Sequence, residues 1–141
     1  MILSRSELDF GIIAKSSSKQ LSVIVSNYNP DTLLVTVQSN NPDFTLSAST
    51  LTISSGTSEN LNITLSSNNI GIKSGIITLN SNDPETPQIL ISVFGEVINS
   101  QVSTSFTTYN FESIALFDEK KVNLTIKNVG VVELQVSDII V

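Results

Sequence analysis

Apolar and polar residues alternate with a period of two along almost the whole chain, and no window keeps the helical period of about 3.6 residues. A chain patterned this way can bury one face of each strand and little else, so it reads as all-β. Leu21, Val23 and Val25 alternate with Ser22 and Ser26, and Asn27, Asn29, Pro30 and Asp31 then turn the chain into Leu33, Val35 and Val37. Phe44 and Leu46, then Leu51 and Ile53, form two shorter runs before the turn at Ser55 and Gly56. Leu61, Ile63 and Leu65 alternate with Asn60, Asn62, Thr64 and Ser66 in the cleanest such stretch. Ile77 and Leu79 lead into Asn82, Asp83 and Pro84, and Ile89, Ile91 and Val93 complete a last strand ending near Gly95. About seven short strands with turns every 8 to 12 residues or so is the pattern of an antiparallel sandwich, whose two sheets hide one face each in a shared core.

A second signal is internal. Shifted by 101 positions, the chain matches itself without gaps: Phe10 falls on Phe111, Ile13 on Ile114, Ala14 on Ala115 and Lys19 on Lys120. The row Leu21, Val23, Val25 meets Val122, Leu124, Ile126, and Asn27, Leu33 and Val35 meet Asn128, Leu134 and Val136. Inward positions keep their character while outward ones drift, as expected when a packed unit is duplicated. The expected organisation is therefore a complete sandwich over 1–98, a linker over 99–104, and the N-terminal part of a second, incomplete sandwich over 105–141. With 141 residues there is room for one all-β domain and a remainder. A half-built sandwich is not expected to fold alone. Its apolar residues Val136, Ile139, Ile140 and Val141 are the candidates for strand pairing, either with a continuation of the same chain or with another chain, including self-assembly between copies.

Composition narrows function by exclusion. Hydrophobic residues make up 40% and charged residues 14% of the chain, enough for a core and unlike a disordered tail. With a net charge of −6 and scattered lysines there is no basic surface for phosphates, so nucleic acid is not expected as a partner. No apolar run approaches membrane-spanning length, so no membrane insertion is expected, and residues Met1 to Phe10 do not read as a secretory signal. There is no histidine and no cysteine, which removes Ser-His-Asp and Cys-His chemistry and sulfur-held metal. No cofactor and no catalysis are expected.

Four weaker patterns have structural readings. Asp31, Asp43 and Asp83 lie in loops, where calcium is conceivable, but Asp83 is expected to cap its own turn before Pro84. Asn62-Ile63-Thr64 and Asn123-Leu124-Thr125 match the glycosylation sequon on outward positions. Gly11, Gly75 and Gly95 are expected at bends. Trp is absent and Tyr28 and Tyr109 look isolated, so no aromatic platform for sugars is expected.

The segment Leu8-Asp9-Phe10-Gly11, Asn27 ahead of a turn, Gly75-Ile76-Ile77-Thr78-Leu79, Ser81-Asn82-Asp83-Pro84 with Pro87, and Gly95 resembles the immunoglobulin-like repeats of the ASH (ASPM, SPD-2, hydin) type, especially bacterial choice-of-anchor D repeats. The likeness covers residues 4 to 97 as one repeat and 105 to 141 as the start of another. It implies an immunoglobulin-like sandwich related to the major sperm protein fold, without catalysis. In the second stretch Glu112 stands where Gly11 does and Gly130 replaces Pro30, so its first strand and turn are expected to differ in detail. The favoured reading is a structural and interaction repeat of a larger surface or secreted protein, a spacer or assembly element working through protein contacts. The alternative is an intracellular protein-binding adaptor of the ciliary or centrosomal type.

Overall fold

A computed structural model of the chain describes residues 1–140 and shows an all-β protein. It divides into two compact units, Met1–Ile98 and a second that starts at Asn99. The first unit consists of β1 (Ile2–Leu3), β2 (Glu7–Ala14), β3 (Ser18–Ser26), β4 (Leu33–Ser39), β5 (Phe44–Leu46), β6 (Thr50–Ile53), β7 (Ser58–Ser66), β8 (Gly71–Ser81) and β9 (Gln88–Ile98). They form a four-stranded sheet of order β1-β3-β7-β5 and a five-stranded sheet of order β2-β9-β8-β4-β6.

The alternation places the core. β3 and β7 pair antiparallel along their full length, with Val23 opposite Leu61 and Leu21 opposite Ile63, so their apolar residues share one face. Val35, Val37, Ile77, Leu79, Ile91 and Val93 of the other sheet are buried in the same cluster. Phe10 and Phe44 meet in it with ring centroids 5.5 Å apart and planes tilted by 57°. Full burial of a side chain of this size contributes about 1.5–3 kcal/mol, so this cluster dominates the unit's stability.

One pairing departs from the antiparallel expectation. β2 runs parallel to β9, from Glu7 beside Ser92 to Ala14 beside Ile98, with a register shift between Asp9 and Ile12. Local alternation cannot report a pairing between strands some eighty residues apart, and so the first and last long strands lie side by side unannounced. At the irregularity Gly11 adopts φ 62°, a left-handed conformation that glycine reaches without strain. The Asp9 carboxylate accepts the Gly11 N–H at 2.7 Å, and Lys19 Nζ donates to the Phe10 carbonyl at 2.7 Å.

Gly95, expected at a bend, instead sits inside β9. A Cβ there would lie 2.8 Å from Leu65 Cδ2 and 3.0 Å from Phe10 Cβ, so the bare backbone is what lets the two sheets close over Phe10. The strand β1 was not legible from alternation at all, being two residues long.

The second unit holds β10 (Val102–Thr104) and β11 (Ile126–Asn128), paired antiparallel, and no further strand among its described residues. Ser103 faces Lys127 and Thr104 faces Ile126, the register of Ile2 with Ser26 and Leu3 with Val25 moved along by the repeat. At Glu112 the backbone holds φ 56°, close to that of Gly11, but residues 108–115 form no strand where their counterparts form β2, so the first strand differs as expected. Tyr109 is not isolated either, for its ring lies 5.2 Å from that of Phe106 and 5.0 Å from that of Phe111.

Candidate interaction surface

The two outer faces of the sandwich have different chemistry. On the four-stranded sheet, Gln20 faces Thr64, Ser22 faces Asn62 and Ser26 faces Ser58, whose hydroxyls are 2.8 Å apart. These are short neutral polar groups, the expected covering of a solvated face, with Ile24 and, on the β1 edge, Ile2 as apolar interruptions. Asn62 of the first sequon lies on this face, and Asn123 of the second is exposed outside any strand.

The five-stranded sheet looks different. Its outward positions carry Ile12 (53% exposed), Ile72 (82%) and Leu90 (50%), with Ile76 and Phe94 half-buried between them. Cross-strand register brings them together: Ile12, Glu96 and Ile72 form one row, Asp9, Phe94 and Ser74 the next, and Glu7, Ser92 and Ile76 a third. Phe94 is thus diagonal to both Ile72 and Ile76, close enough for a large side chain to touch. Three carboxylates, Glu7, Asp9 and Glu96, stand among these groups. No lysine or arginine occupies an outward position of the five strands among the described residues; Arg5 and Lys15 lie just before and just after β2.

This face escaped the alternation argument because it violates it. Ile12 beside Ile13, Ile76 beside Ile77, Leu90 between Ile89 and Ile91, and Phe94 beside Val93 are all apolar at the parity that should be wet. Those doublets were the available signal.

The loop aspartates do not converge. Asp31 and Asp83 line a cleft of about 300 Å³ between the β3–β4 and β8–β9 turns, whereas Asp43 lines a different, hydroxyl-rich hollow with Ser66, Ser67 and Asn69. Asp43 pairs with Lys73 at 3.2 Å. Asp83 is buried and fully engaged: Oδ1 accepts the Glu85 N–H at 2.9 Å and the Thr86 N–H at 3.3 Å, and Oδ2 accepts the Thr86 hydroxyl at 2.9 Å and the Met1 amine. The Met1 ammonium, against the opposing effect of burial and with help from the Thr86 hydroxyl and the two amides, holds this carboxyl well below the usual carboxylate range. Its bonds to the Glu85 and Thr86 amides are those of a turn cap.

Of the tail residues, Val136, Ile139 and Ile140 are exposed and outside any strand. Val141 lies outside the described residues.

A profile described as the HYDIN/CFA65/VesB-like Ig-like domain matches residues 1–96. Among solved structures, the ASH/PapD-like domain 7 of human CEP192 superposes with a TM-score of 0.65 at 10% identity, covering 71% of this chain and 86% of that one. A protein of unknown function from Porphyromonas gingivalis W83 gives 0.57 at 23% identity, covering 67% of this chain and 45% of that one. A family 123 glycoside hydrolase from Clostridium perfringens gives 0.55 at 14% identity, but the likeness spans 67% of this chain and only 23% of the enzyme. At these identities the superpositions speak to the fold, which is an immunoglobulin-like, PapD-like sandwich. A search of curated proteins returned no match.

Proposed function

The chain belongs to the HYDIN/CFA65/VesB-like Ig-like domain family, and from that membership we propose that it is a non-catalytic protein-binding adaptor of the intracellular, ciliary or centrosomal type. The observation that carries the reading is the outer face of the five-stranded sheet. There, large apolar side chains stand exposed on rigid strands where the other sheet presents serine, threonine and asparagine. Of the loop carboxylates, Asp83 is held in a turn cap and Asp43 in an ion pair with Lys73 instead of facing one another across an apolar pocket, the arrangement acid–base chemistry would use. The test is capture from ciliated-cell cytoplasm and, separately, from bacterial surface fractions, followed by calorimetric titration with each purified partner. A saturable complex with a cytoplasmic partner supports the adaptor. Saturable binding of a glycan in place of protein would sink it.

A second reading, a spacer or assembly repeat of a surface or secreted protein, draws on the 101-residue self-similarity. In it residues 105–141 are a second copy of the module's first third, and Val136, Ile139, Ile140 and Val141 are its strand-pairing residues. Light scattering coupled to size exclusion compares the full chain with a truncation at Ile98. Concentration-dependent association of the full chain alone is the expected result, and two stable monomers would remove self-assembly.

A further inference from the structure

We propose that the outer face of the five-stranded sheet takes a basic amphipathic α-helix of a partner protein, with the helix's lysines or arginines along the flank that meets β2 and β9. The proposal rests on the protein-binding reading above and specifies the chemistry of the partner.

The apolar spine is met through side chains. Ile72 and Ile76 on β8 and Leu90 and Phe94 on β9 stand on two strands that pair with each other from Gly71–Val97 to Asn80–Gln88, so their outward side chains lie over a hydrogen-bonded ladder and present a face for a helix laid across it. The spine has the dimensions of a helix footprint. Along the ladder the four residues follow in the order Ile72, Phe94, Ile76, Leu90, a stripe six residues of strand long, about 20 Å at ~3.3 Å per residue. An amphipathic helix with a pitch of about 5.4 Å lays side chains at i, i+3 or i+4, i+7 and i+11 along such a stripe in three to four turns.

Charge then orients it. Glu7, Asp9 and Glu96 all stand on the β2–β9 side of the spine, while the β4 side presents Thr36 and Gln38 beside Asn80 and Thr78. One flank is therefore acidic and the other neutral, which selects a helix carrying cations on one side of its apolar stripe. The opposite sheet serves as an internal comparison. It belongs to the same acidic chain, yet its paired outward positions hold no carboxylate from Gln20 to Ser26 or from Ser58 to Thr64. An anionic lipid surface would be repelled by the same three groups.

The probe is a fluorescein-labelled Leu/Lys peptide of about 18 residues with its lysines on one flank, long enough to hold a helix. It is titrated against the full chain by fluorescence anisotropy, alongside a peptide with glutamate in place of every lysine. Saturable binding of the lysine peptide alone is expected, weakened at least about tenfold by Ile72→Asp or by Glu96→Lys, a loss of about 1.4 kcal/mol. Glu59→Lys makes the same charge change on the four-stranded sheet and is expected to leave affinity within about twofold. Ile72 is exposed enough that its variant keeps the fold, which circular dichroism verifies. Equal weakening by Glu59→Lys would show general charge attraction and overturn the proposal, as would equal binding of the glutamate peptide. Binding to phosphatidylcholine–phosphatidylserine vesicles that Ile72→Asp abolishes would reassign the face to lipid. A captured protein partner indifferent to both face variants would leave the adaptor standing and remove the helix.

Discussion

Residues 4–39 and 105–140 make many of the same short-range contacts and share almost none of the same burial. Lys19 Nζ reaches the Phe10 carbonyl at 2.7 Å, and Lys120 Nζ reaches the Phe111 carbonyl at 3.0 Å. Asn27 Nδ2 donates to the Asp31 carbonyl at 2.8 Å, and Asn128 Nδ2 donates to that of Val132 at 2.8 Å. Ser4 and Ser105 each offer a hydroxyl to the amide of Ile24 and Thr125 in turn. Yet Phe10 is 0% exposed against 39% for Phe111, and Val25 is 0% against 38% for Ile126. Bulges, lysine latches and asparagine turns are thus written within a span of some thirty residues. Burial is not, because the groups that cover Phe10 and Val25 come from β5, β7 and β9.

The sharpest way to break this comparison is to truncate both phenylalanines. Phe10→Ala is expected to cost about 3–5 kcal/mol of unfolding free energy, while Phe111→Ala costs less than about 1. Urea titration with hydrogen exchange resolved by residue measures both, and a comparable loss at Phe111 would mean that the second unit has a core after all. Gly95→Ala is next, at about 1–3 kcal/mol, because its methyl meets Leu65 and Phe10. The exchange protection of the Ser105 amide is expected to stay unchanged in that variant.

A pH titration separates the two regions in another way. Because the Asp83 carboxyl titrates below its ordinary value in the folded state, its contribution is complete above the unfolded value of about 3.9 and drains as pH falls towards the folded one. Unfolding of the first unit should ease as pH is lowered from 5 to about 2, and Asp83→Asn should flatten that slope. The smallest effect is expected at Glu112→Gly, which relieves a left-handed side chain and should deepen protection of the Ser105 amide by about 1 kcal/mol. No gain there would place the bulge under the control of more distant residues.

How much of this was legible in the sequence follows the same division. The rows Val23–Val25 and Leu61–Leu65 declared both the sheet and its inward face, since a period of two leaves no other face to bury. The Asn27 and Asp83 turns were legible because asparagine and aspartate bond to backbone a few residues away. The parallel closure of β2 on β9 was not, and neither was the role of Gly95, which depends on a leucine thirty residues distant. The candidate surface was half legible. Its doublets, such as Ile76 beside Ile77, were present, but an extra apolar residue in a strand also fits a doubly covered sheet, and only the two-layer architecture shows that nothing in the unit covers them.

The parallel pairing of β2 with β9 also sets how the unit responds to traction. Tension between the N-terminal end of β2 and the C-terminal end of β9 would draw two parallel strands past each other, loading the bonds from Glu7–Ser92 to Ala14–Ile98 together instead of peeling them singly. The unit is thereby expected to resist stretching along the chain better than its modest size suggests. In single-molecule pulling, Gly95→Ala, which pushes Phe10 and β2 away from β9, should lower the rupture force.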